Sequence, residues 1–282
     1  SRNPINKTKF FFFFRNGLIP TTIPFSSNIK DQFPLFKWEM RSAIALGKLT
    51  PPLLFKKGRR NLQIMAQAAG NSSRGKKHIT IDISSDSVCP WCFVGKRNLD
   101  KAIAESKDQF EFEVRWHPYF LNPSAPKEGI NKREFYRNKF GPRAEGILSR
   151  MTEIYKGLGL NYNLDGLTGS TLDSHRLIYF AGKQGSDKQH KLVEELFLGY
   201  FTQAKYVGDR EFLLDCARKA GIEGAAEFLE DPNNGVTEVN EELHKYSSNI
   251  TGVPHFVINE KYKLSGGQPP ETFLKAFEAA AN

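Results

Sequence analysis

Hydrophobic and polar residues alternate along two segments of the chain, as they do in half-buried β-strands. The apolar positions of residues 78–84 are isoleucines, and those of residues 110–117 are mainly aromatic. Between the two segments the pattern changes to helical spacing, with Lys96, Arg97 and Lys101 on the predicted solvated face. A strand, a helix and a second strand predict a right-handed crossover with parallel strands. The apolar strand positions are Ile79, Ile81, Ile83, Phe110, Phe112, Val114 and Trp116.

A long run of helical periodicity follows, from residue 131 to about residue 247. Its strongest part, residues 187–203, places apolar side chains on a single stripe. Thr171 and Asp209 suit the capping positions of two further helices. The other candidates are residues 131–140, residues 143–158 and a last helix marked by Val236, Val239, Leu243 and Tyr246. The pattern therefore predicts a helical region of more than a hundred residues.

Alternation returns near the C-terminus. Residues 255–259 and 262–264 are separated by Glu260 and Lys261, which predicts a β-hairpin. Pro269, Pro270 and Glu271 are then expected to open a terminal helix, because proline suits the first turn of a helix. Strands at both ends and helices between them predict an α/β fold that contains a large inserted helical region.

The net charge of +9 is unevenly distributed along the chain. Residues 1–64 hold 12 of the 40 Lys and Arg but 2 of the 31 Asp and Glu. The remaining residues carry 28 basic and 29 acidic side chains, a net charge of −1. A folded part close to neutral lacks the basic patch that nucleic-acid binding needs. No apolar run approaches the roughly 20 residues that span a bilayer. We therefore predict no nucleic-acid partner and no membrane partner.

Residues 1–64 show no sustained period and include five consecutive phenylalanines. We predict an unstructured segment here, with residues 65–77 as a linker. Its basic, acid-poor composition suits an organellar transit peptide. Alternatively, the segment is a non-native extension, because Met65 followed by Ala66 offers a natural start before the first strand.

A Cys-Pro-Trp-Cys sequence joins the first strand to the first helix. At a helix start, unpaired N–H groups and the helix dipole favour the thiolate of Cys89. Cys92 lies one helical turn further on, where it can attack a mixed disulfide formed at Cys89. Pro90 suits the first turn because it has no N–H to satisfy, and Trp91 is expected to shield the pair. This pattern predicts thiol–disulfide chemistry.

A zinc site and a structural disulfide are weaker interpretations of the cysteine pair. A closed zinc site needs four ligands, and Cys216 is the third and last cysteine of the chain. A structural bridge between Cys89 and Cys92 would close too small a loop to restrict the unfolded chain much. Cys216 itself lies on an apolar helix face, where a buried core thiol is expected.

The low cysteine content also bears on the compartment. Three cysteines, two of them in one motif, do not form a disulfide framework. A reducing, cytoplasmic location fits best. The alternative is the chloroplast or mitochondrion, if residues 1–64 are a transit peptide.

Three motifs in residues 78–282 resemble the DsbA-like family, which has a thioredoxin-like fold. They are Ser-Asp-Ser-Val-Cys-Pro-Trp-Cys at 85–92, Leu-Asp-Ser-His-Arg-Leu at 172–177 and Thr-Gly-Val-Pro at 251–254. The resemblance is greatest to the cytosolic FrnE-type branch, which is related to kappa-class glutathione transferases and hydroxychromene-carboxylate isomerases. It implies a thioredoxin-like part, residues 78–122 and 248–282, interrupted by an all-helical domain, residues 123–247.

The resemblance also implies roles for individual residues. Cys89 would be the attacking thiol and Cys92 the resolving thiol. Pro254 would follow a cis peptide bond and lie against the dithiol. Val253 would then offer its backbone groups to an extended substrate segment. The alternative for Pro254 is an ordinary proline at a strand start.

His175 and Arg176 open a helix that packs near the active site in the related branch. His175 could assist proton transfer, and Arg176 could hold an anion such as a glutathione carboxylate. The alternative is that both residues have structural roles as caps or pairing partners. The resemblance implies no bound cofactor, glutathione as a co-substrate, a thiol or disulfide substrate and homodimer formation.

The leading prediction is a thiol–disulfide oxidoreductase. A glutathione-dependent transferase or isomerase is the first alternative, although those branches usually place serine where this chain has Cys89. A non-catalytic, redox-sensing binding module is the second alternative.

Overall fold

A computed structural model describes residues 75–282. The predictions for residues 1–64 and for most of the linker lie outside the described residues. Four strands form one mixed sheet in the order β2-β1-β5-β6. Strands β1 and β2 are parallel, while β5 is antiparallel to both β1 and β6. The strands are β1 (Lys77–Ser85), β2 (Phe110–Pro118), β5 (His255–Ile258) and β6 (Tyr262–Ser265).

The helices of the described residues lie between and after these strands. Helix α1 (Pro90–Ser106) forms the predicted crossover from β1 to β2, and α9 (Pro270–Ala280) follows the hairpin. The insertion contains α2 (Lys132–Phe140), α3 (Ala144–Gly157), α4 (Leu172–Gly182), α5 (Ser186–Thr202), α6 (Arg210–Ala220), α7 (Ala225–Glu230) and α8 (Val236–Glu242). A 3₁₀ turn at Gly141–Arg143 and a π-helical turn at Leu243–Ser247 complete it. The predicted α/β fold with a large helical insertion is confirmed.

The predicted strand β1 is confirmed and Ile79, Ile81 and Ile83 are fully buried, but Asp82 and Ser84 of its opposite face are buried too. In the neighbouring strand, Phe110 and Phe112 contact the ring of Phe277 of α9 at 6.4 and 4.8 Å between centroids, and α9 packs on α1. Aromatic pairs at such distances stabilise a core beyond the area they bury. This packing fixes α1, and hence the dithiol at its start, against the sheet.

One side chain of α5 hydrogen-bonds backbone groups at the outer edge of β2. The Gln189 amide oxygen accepts a hydrogen bond from the Trp116 N–H at 2.9 Å, and its nitrogen donates to the Trp116 carbonyl at 3.2 Å. The amide thus satisfies backbone groups that an edge strand leaves unpaired. These two hydrogen bonds connect the helical insertion to the sheet.

The insertion is not wholly helical. Two short strands, β3 (Ile130–Asn131) and β4 (Leu167–Thr168), pair antiparallel in a separate ribbon. Two-residue strands carry too little alternation for the sequence to show them.

The prediction that Lys96 lies on a solvated face is wrong. Its side chain is buried between α1 and α5, where the ammonium lies 2.8 Å from Asp100 and 3.0 Å from Glu194. A buried ammonium is tolerated when carboxylates pair with it. A helical pattern shows which face of a helix is apolar, but it does not show that Glu194 of a distant helix pairs with Lys96.

Candidate active site

The dithiol occupies the turn from β1 into α1. Cys89 is the N-cap residue of α1, with extended backbone angles of φ −88° and ψ 111°, and Pro90 is at the first helical position. The Cys89 N–H donates to the Asp86 carbonyl at 2.9 Å, and the Cys92 N–H donates to the Cys89 carbonyl at 3.0 Å. Both thiols are free in this structure. The sequence prediction of their local geometry agrees with this arrangement.

The Cys89 side chain faces the loop before β5. Its S–H donates to the Val253 carbonyl at 3.7 Å, and the Val253–Pro254 peptide bond is cis. Pro254 is buried against Gly95 of α1, where a Cβ would lie 3.1 Å from the proline Cγ. The structure therefore brings Val253 and Pro254 next to Cys89, although they are more than 160 residues apart in sequence.

Trp91 is half-buried beside the dithiol. It packs on the loop before α9, where a Cβ on Gly267 would lie 3.0 Å from its ring. The chain requires a small residue at this contact. Trp91 thus covers one flank of α1, next to the two cysteines.

The Cys92 thiol is enclosed by the protein. Cys92 has no exposed surface, whereas Cys89 keeps 4%. Burial raises the pKa of the Cys92 thiol well above its usual value, and the neighbouring Cys89 sulfur raises it further. Hydrogen bonds from Ser85 and from the Asp86 backbone act in the opposite direction. The raised pKa favours the neutral thiol of Cys92 at pH 7.

Asp86 ties the dithiol turn to the loop after β2. Its buried carboxylate accepts a hydrogen bond from the Leu121 N–H at 2.7 Å, while its carbonyl accepts from Cys89. Sequence reasoning included Asp86 in a motif but assigned it no role. The sequence feature that indicates a role for Asp86 is its position, three residues before Cys89 and at the end of a buried strand.

A tyrosine of the insertion covers the turn from the other side. The Tyr155 hydroxyl of α3 donates to the Pro90 carbonyl at 3.1 Å. Burial raises the pKa of Tyr155 well above its usual value, so it remains a neutral donor. Sequence reasoning missed Tyr155, because the pattern of α3 shows a buried position without showing what it contacts.

His175 and Arg176 are neighbours in sequence but point to different places. The buried His175 Nε2 donates to the Tyr119 carbonyl at 3.2 Å and lies 3.6 Å from the Asp86 carboxylate. The Arg176 guanidinium binds Asp173 at 2.7 Å and the carbonyls of Phe228, Asp231 and Asn234 near α7. His175 thus lies beside the dithiol turn. The contacts of Arg176 favour its structural alternative.

The third cysteine lies in the middle of α6, with 1% of its surface exposed. Burial raises the pKa of Cys216 to about 12. Its predicted burial in the core is confirmed. Within residues 75–282, no group of three or more His, Cys, Asp or Glu side chains could hold a metal ion. No helix of the same residues is long and apolar enough to cross a bilayer.

A mixed four-stranded sheet, a Cys-x-x-Cys pair at a helix start and a cis proline facing it define a thioredoxin-fold protein with a dithiol site. The sequence profile of the DSBA-like thioredoxin domain matches residues 80–278. This chain belongs to the DsbA-like thioredoxin family, which includes thiol–disulfide oxidoreductases and isomerases. The thiol–disulfide oxidoreductases and isomerases of this family act on thiol and disulfide substrates.

Several known proteins are similar to this chain. A probable DsbA oxidoreductase from Streptomyces coelicolor is 30% identical, with a TM-score of 0.65 over 72% of this chain and 90% of that one. The uncharacterized protein YwbO from Bacillus subtilis is 26% identical over 206 residues, which is 70% of this chain and 95% of YwbO. A 2-hydroxychromene-2-carboxylate isomerase is 13% identical, with a TM-score of 0.53 over 71% of this chain and 95% of that one. This last likeness shows the fold alone, and the FrnE-type branch stays a prediction.

Proposed function

We propose that this protein is a thiol–disulfide oxidoreductase that acts by disulfide exchange through Cys89 and Cys92. The observation that carries the proposal is the pairing of two unlike thiols one helical turn apart. The outer thiol begins α1 and faces the carbonyl of Val253. The inner thiol is buried and neutral, as suits a group that acts second.

The proposed reaction has two exchange steps. The Cys89 thiolate attacks a substrate disulfide, forms a mixed disulfide and releases one substrate thiolate, which takes up a proton. The Cys92 thiolate then attacks the Cys89 sulfur. This step forms the Cys89–Cys92 disulfide and releases the second substrate thiol. Two electrons pass from the dithiol to the substrate, and the reverse sequence oxidises a substrate dithiol.

The remaining site residues are proposed to hold the substrate. An extended segment that carries the reacting disulfide would lie along the backbone of Val253 before Pro254, as an added strand. Pro90 and Trp91 would form the opposite side of this groove. His175 is proposed to assist proton transfer. Glutathione is the proposed small-molecule co-substrate, since its cysteine can form the same mixed disulfide.

The proposed location is a reducing compartment. Among the described residues the cysteines carry no structural disulfide, which suits the cytoplasm, with the chloroplast or mitochondrion as the alternative. Homodimer formation remains an expectation from the family.

Trapping with oxidised glutathione tests the proposal. In Cys92→Ser the exchange should stop after the first step, so that one glutathione stays attached at Cys89, as located by peptide mass mapping. The wild type should instead retain no glutathione and gain the Cys89–Cys92 disulfide. Cys216→Ser is the control and should behave as the wild type.

Two results would contradict the proposal. The first is the absence of any adduct at Cys89 in Cys92→Ser. The second is conjugation of an electrophile to glutathione at a rate that both Cys89→Ala and Cys92→Ser retain. The latter result would favour the transferase or isomerase alternative.

A further inference from the structure

One histidine of the sheet, His117 near the end of β2, lies between two carboxylates of other elements. Its Nε2 lies 2.8 Å from Asp82 of β1, and its Nδ1 lies 3.4 Å from Glu242 of α8. His117 and Asp82 are buried, and Glu242 is half-buried. This arrangement, called the His117 bridge below, connects two strands of the sheet to a helix of the insertion.

The two hydrogen bonds determine the charge that suits this ring. A carboxylate only accepts hydrogen bonds, and a neutral imidazole has one N–H and one lone pair. A neutral His117 would therefore direct a lone pair at Asp82 or at Glu242, whereas the doubly protonated ring donates to both. Burial alone would lower the pKa of His117, but the hydrogen bonds to the two carboxylates outweigh burial and raise the pKa above its usual value of 6.5.

His190 of α5 shows the opposite arrangement. Its Nδ1 accepts a hydrogen bond from the Trp116 indole N–H at 3.0 Å, and its Nε2 donates to Asp100 at 2.8 Å. A neutral ring offers one acceptor and one donor. The neutral ring therefore satisfies both hydrogen bonds of His190, and this residue provides a matched control for His117.

The His117 ring also supports the π-helical turn that follows α8. Tyr246 of this turn stacks on the ring, with 3.5 Å between centroids and 13° between planes. A cation is attracted to the face of an aromatic ring. Two hydroxyl contacts hold the same turn, because Ser84 donates to the Tyr246 carbonyl at 3.3 Å and Ser247 donates to the Pro118 carbonyl at 2.7 Å. Of these three contacts, the one with His117 is sensitive to pH near neutrality.

The π-helical turn leads into the loop that faces the dithiol. Val253 follows Ser247 by six residues, and its carbonyl accepts from the Cys89 S–H at 3.7 Å. This loop is attached to the π-helical turn at one end and to β5 at the other. A turn that separates from the sheet would therefore release one end of the loop that contains Val253.

We propose that the His117 bridge is a pH-dependent contact that holds the π-helical turn on the sheet and so keeps the Val253 backbone at the dithiol. Loss of the proton leaves a lone pair facing a carboxylate oxygen and removes the cation from the face of Tyr246. The stabilisation is fully present below pH 6.5, the value of a released histidine, and is lost as the pH rises through the higher folded pKa. His117 is thus a positioning residue, and its effect on substrate binding rests on the proposed function.

Other ionisable groups face the His117 bridge and must be counted in a pH profile. His175 is another imidazole beside His117, because both residues line one small cavity. His175→Gln therefore separates the titration of one ring from that of the other. The remaining groups come from β2, the π-helical turn and the end of α4, and they are Glu113, Arg115, Lys245, Tyr246 and Lys183.

NMR of the imidazole rings tests the charge of His117. Long-range ¹H–¹⁵N spectra of the full chain at pH 7 should show both ring nitrogens of His117 at the chemical shift of a protonated nitrogen. His190 should show one protonated and one unprotonated nitrogen. The signals that disappear in His117→Gln and in His190→Gln assign the two rings.

Hydrogen exchange between pH 6 and pH 9 tests the contact itself. Protection factors, which correct for the intrinsic pH dependence of exchange, should fall in α8 and the π-helical turn by up to about tenfold per pH unit above pH 6.5. In Glu242→Gln the fall should be less than about threefold per pH unit, because the new amide can donate to the lone pair of a neutral ring. His190→Gln and His175→Gln should keep the wild-type slope.

Steady-state kinetics connect the turn to the proposed substrate groove. With a peptide disulfide that has no ionisable side chains, His117→Gln should raise KM about tenfold at pH 6.5, roughly the effect of one lost hydrogen bond to the peptide backbone. Its kcat should stay within about twofold of the wild type. In the wild type KM should rise between pH 6 and pH 9, and in Glu242→Gln it should stay constant, which provides a test if His117→Gln fails to fold.

Several results would overturn the proposal. They are a neutral His117 ring at pH 7, protection factors in α8 and the π-helical turn that do not change with pH, or an equal fall in α6, which would show an effect on the whole protein. A KM that is independent of pH in the wild type would overturn the connection to Val253. A wild type without exchange activity would contradict the proposed function, while the NMR and hydrogen-exchange results would still decide whether the His117 bridge responds to pH.

Discussion

The start of α1 and the middle of α6 each contain a buried cysteine, but the surroundings of the two thiols differ. Cys89 and Cys216 are almost equally covered, at 4% and 1% exposure. Cys89 caps a helix, where N–H groups lack helical partners, and its sulfur faces a carbonyl and a second thiol. Cys216 lies inside a helix on an apolar face. Position in the helix and polar neighbours, rather than burial, distinguish the two cysteines, and we propose that they make Cys89 the reactive one.

The largest predicted effect is the loss of exchange in Cys89→Ser. A serine hydroxyl does not form disulfides, so we expect at least a thousand-fold loss of disulfide-exchange rate, on the order of the effect of removing a catalytic nucleophile. Turnover of a model disulfide with glutathione measures it. Exchange activity that is retained in Cys89→Ser, or lost in Cys216→Ser, would contradict the proposed difference in reactivity between the two cysteines.

Gly95 tests whether packing on Pro254 holds the start of α1 in place. A Cβ there would lie 3.0 Å from Phe256 and 3.1 Å from Pro254, so Gly95→Ala should lower the free energy of unfolding by about 1–3 kcal/mol. Gly146→Ala is the matched control, because a Cβ at this position in α3 meets nothing within 4 Å. It should stabilise the protein by about 0.5–1 kcal/mol. Urea unfolding at pH 7 gives both values, and equal changes would refute the packing.

Tyr155→Phe removes one hydrogen bond from the dithiol turn, namely that to the Pro90 carbonyl. We expect a loss of about 1 kcal/mol in unfolding free energy and an exchange rate within about tenfold of the wild type. Because Tyr155 stays neutral, this change should not depend on pH below 9. A Tyr155→Phe protein that exchanges more than a hundred-fold slower would show that Tyr155 acts in the chemistry itself.

The effect that is smallest at pH 7 concerns Cys216, because it appears only in alkaline solution. Its folded pKa of about 12 lies above the unfolded value of about 8.5. Its contribution to stability is therefore fully present below pH 8.5 and is lost as the pH rises towards 12. In Cys216→Ala the fall in unfolding free energy above pH 8.5 should be shallower by about 1.4 kcal/mol per pH unit. Exchange at pH 7 should stay within twofold, and an unchanged slope would contradict the burial effect.

Local patterns were enough to predict the sheet and the dithiol turn. Alternation located β1 and β2, and the Cys-Pro-Trp-Cys sequence located the start of α1. The position of Pro254 beside Cys89 came from family resemblance, since no local pattern joins residues so distant in sequence. The same limit explains why local patterns did not show the partners of Lys96, Tyr155 and Arg176, because these partners lie on other elements.

The central claim is that Cys89 is the reactive thiol of the reduced protein, with Cys92 and Cys216 held neutral by burial. Site-resolved alkylation of the reduced protein by iodoacetamide at pH 7, followed by peptide mass mapping over time, tests it most directly. We expect Cys89 to react on the order of 100-fold faster than either other cysteine, because only the thiolate is nucleophilic. Equal rates at the three cysteines, or faster reaction at Cys92, would contradict the claim.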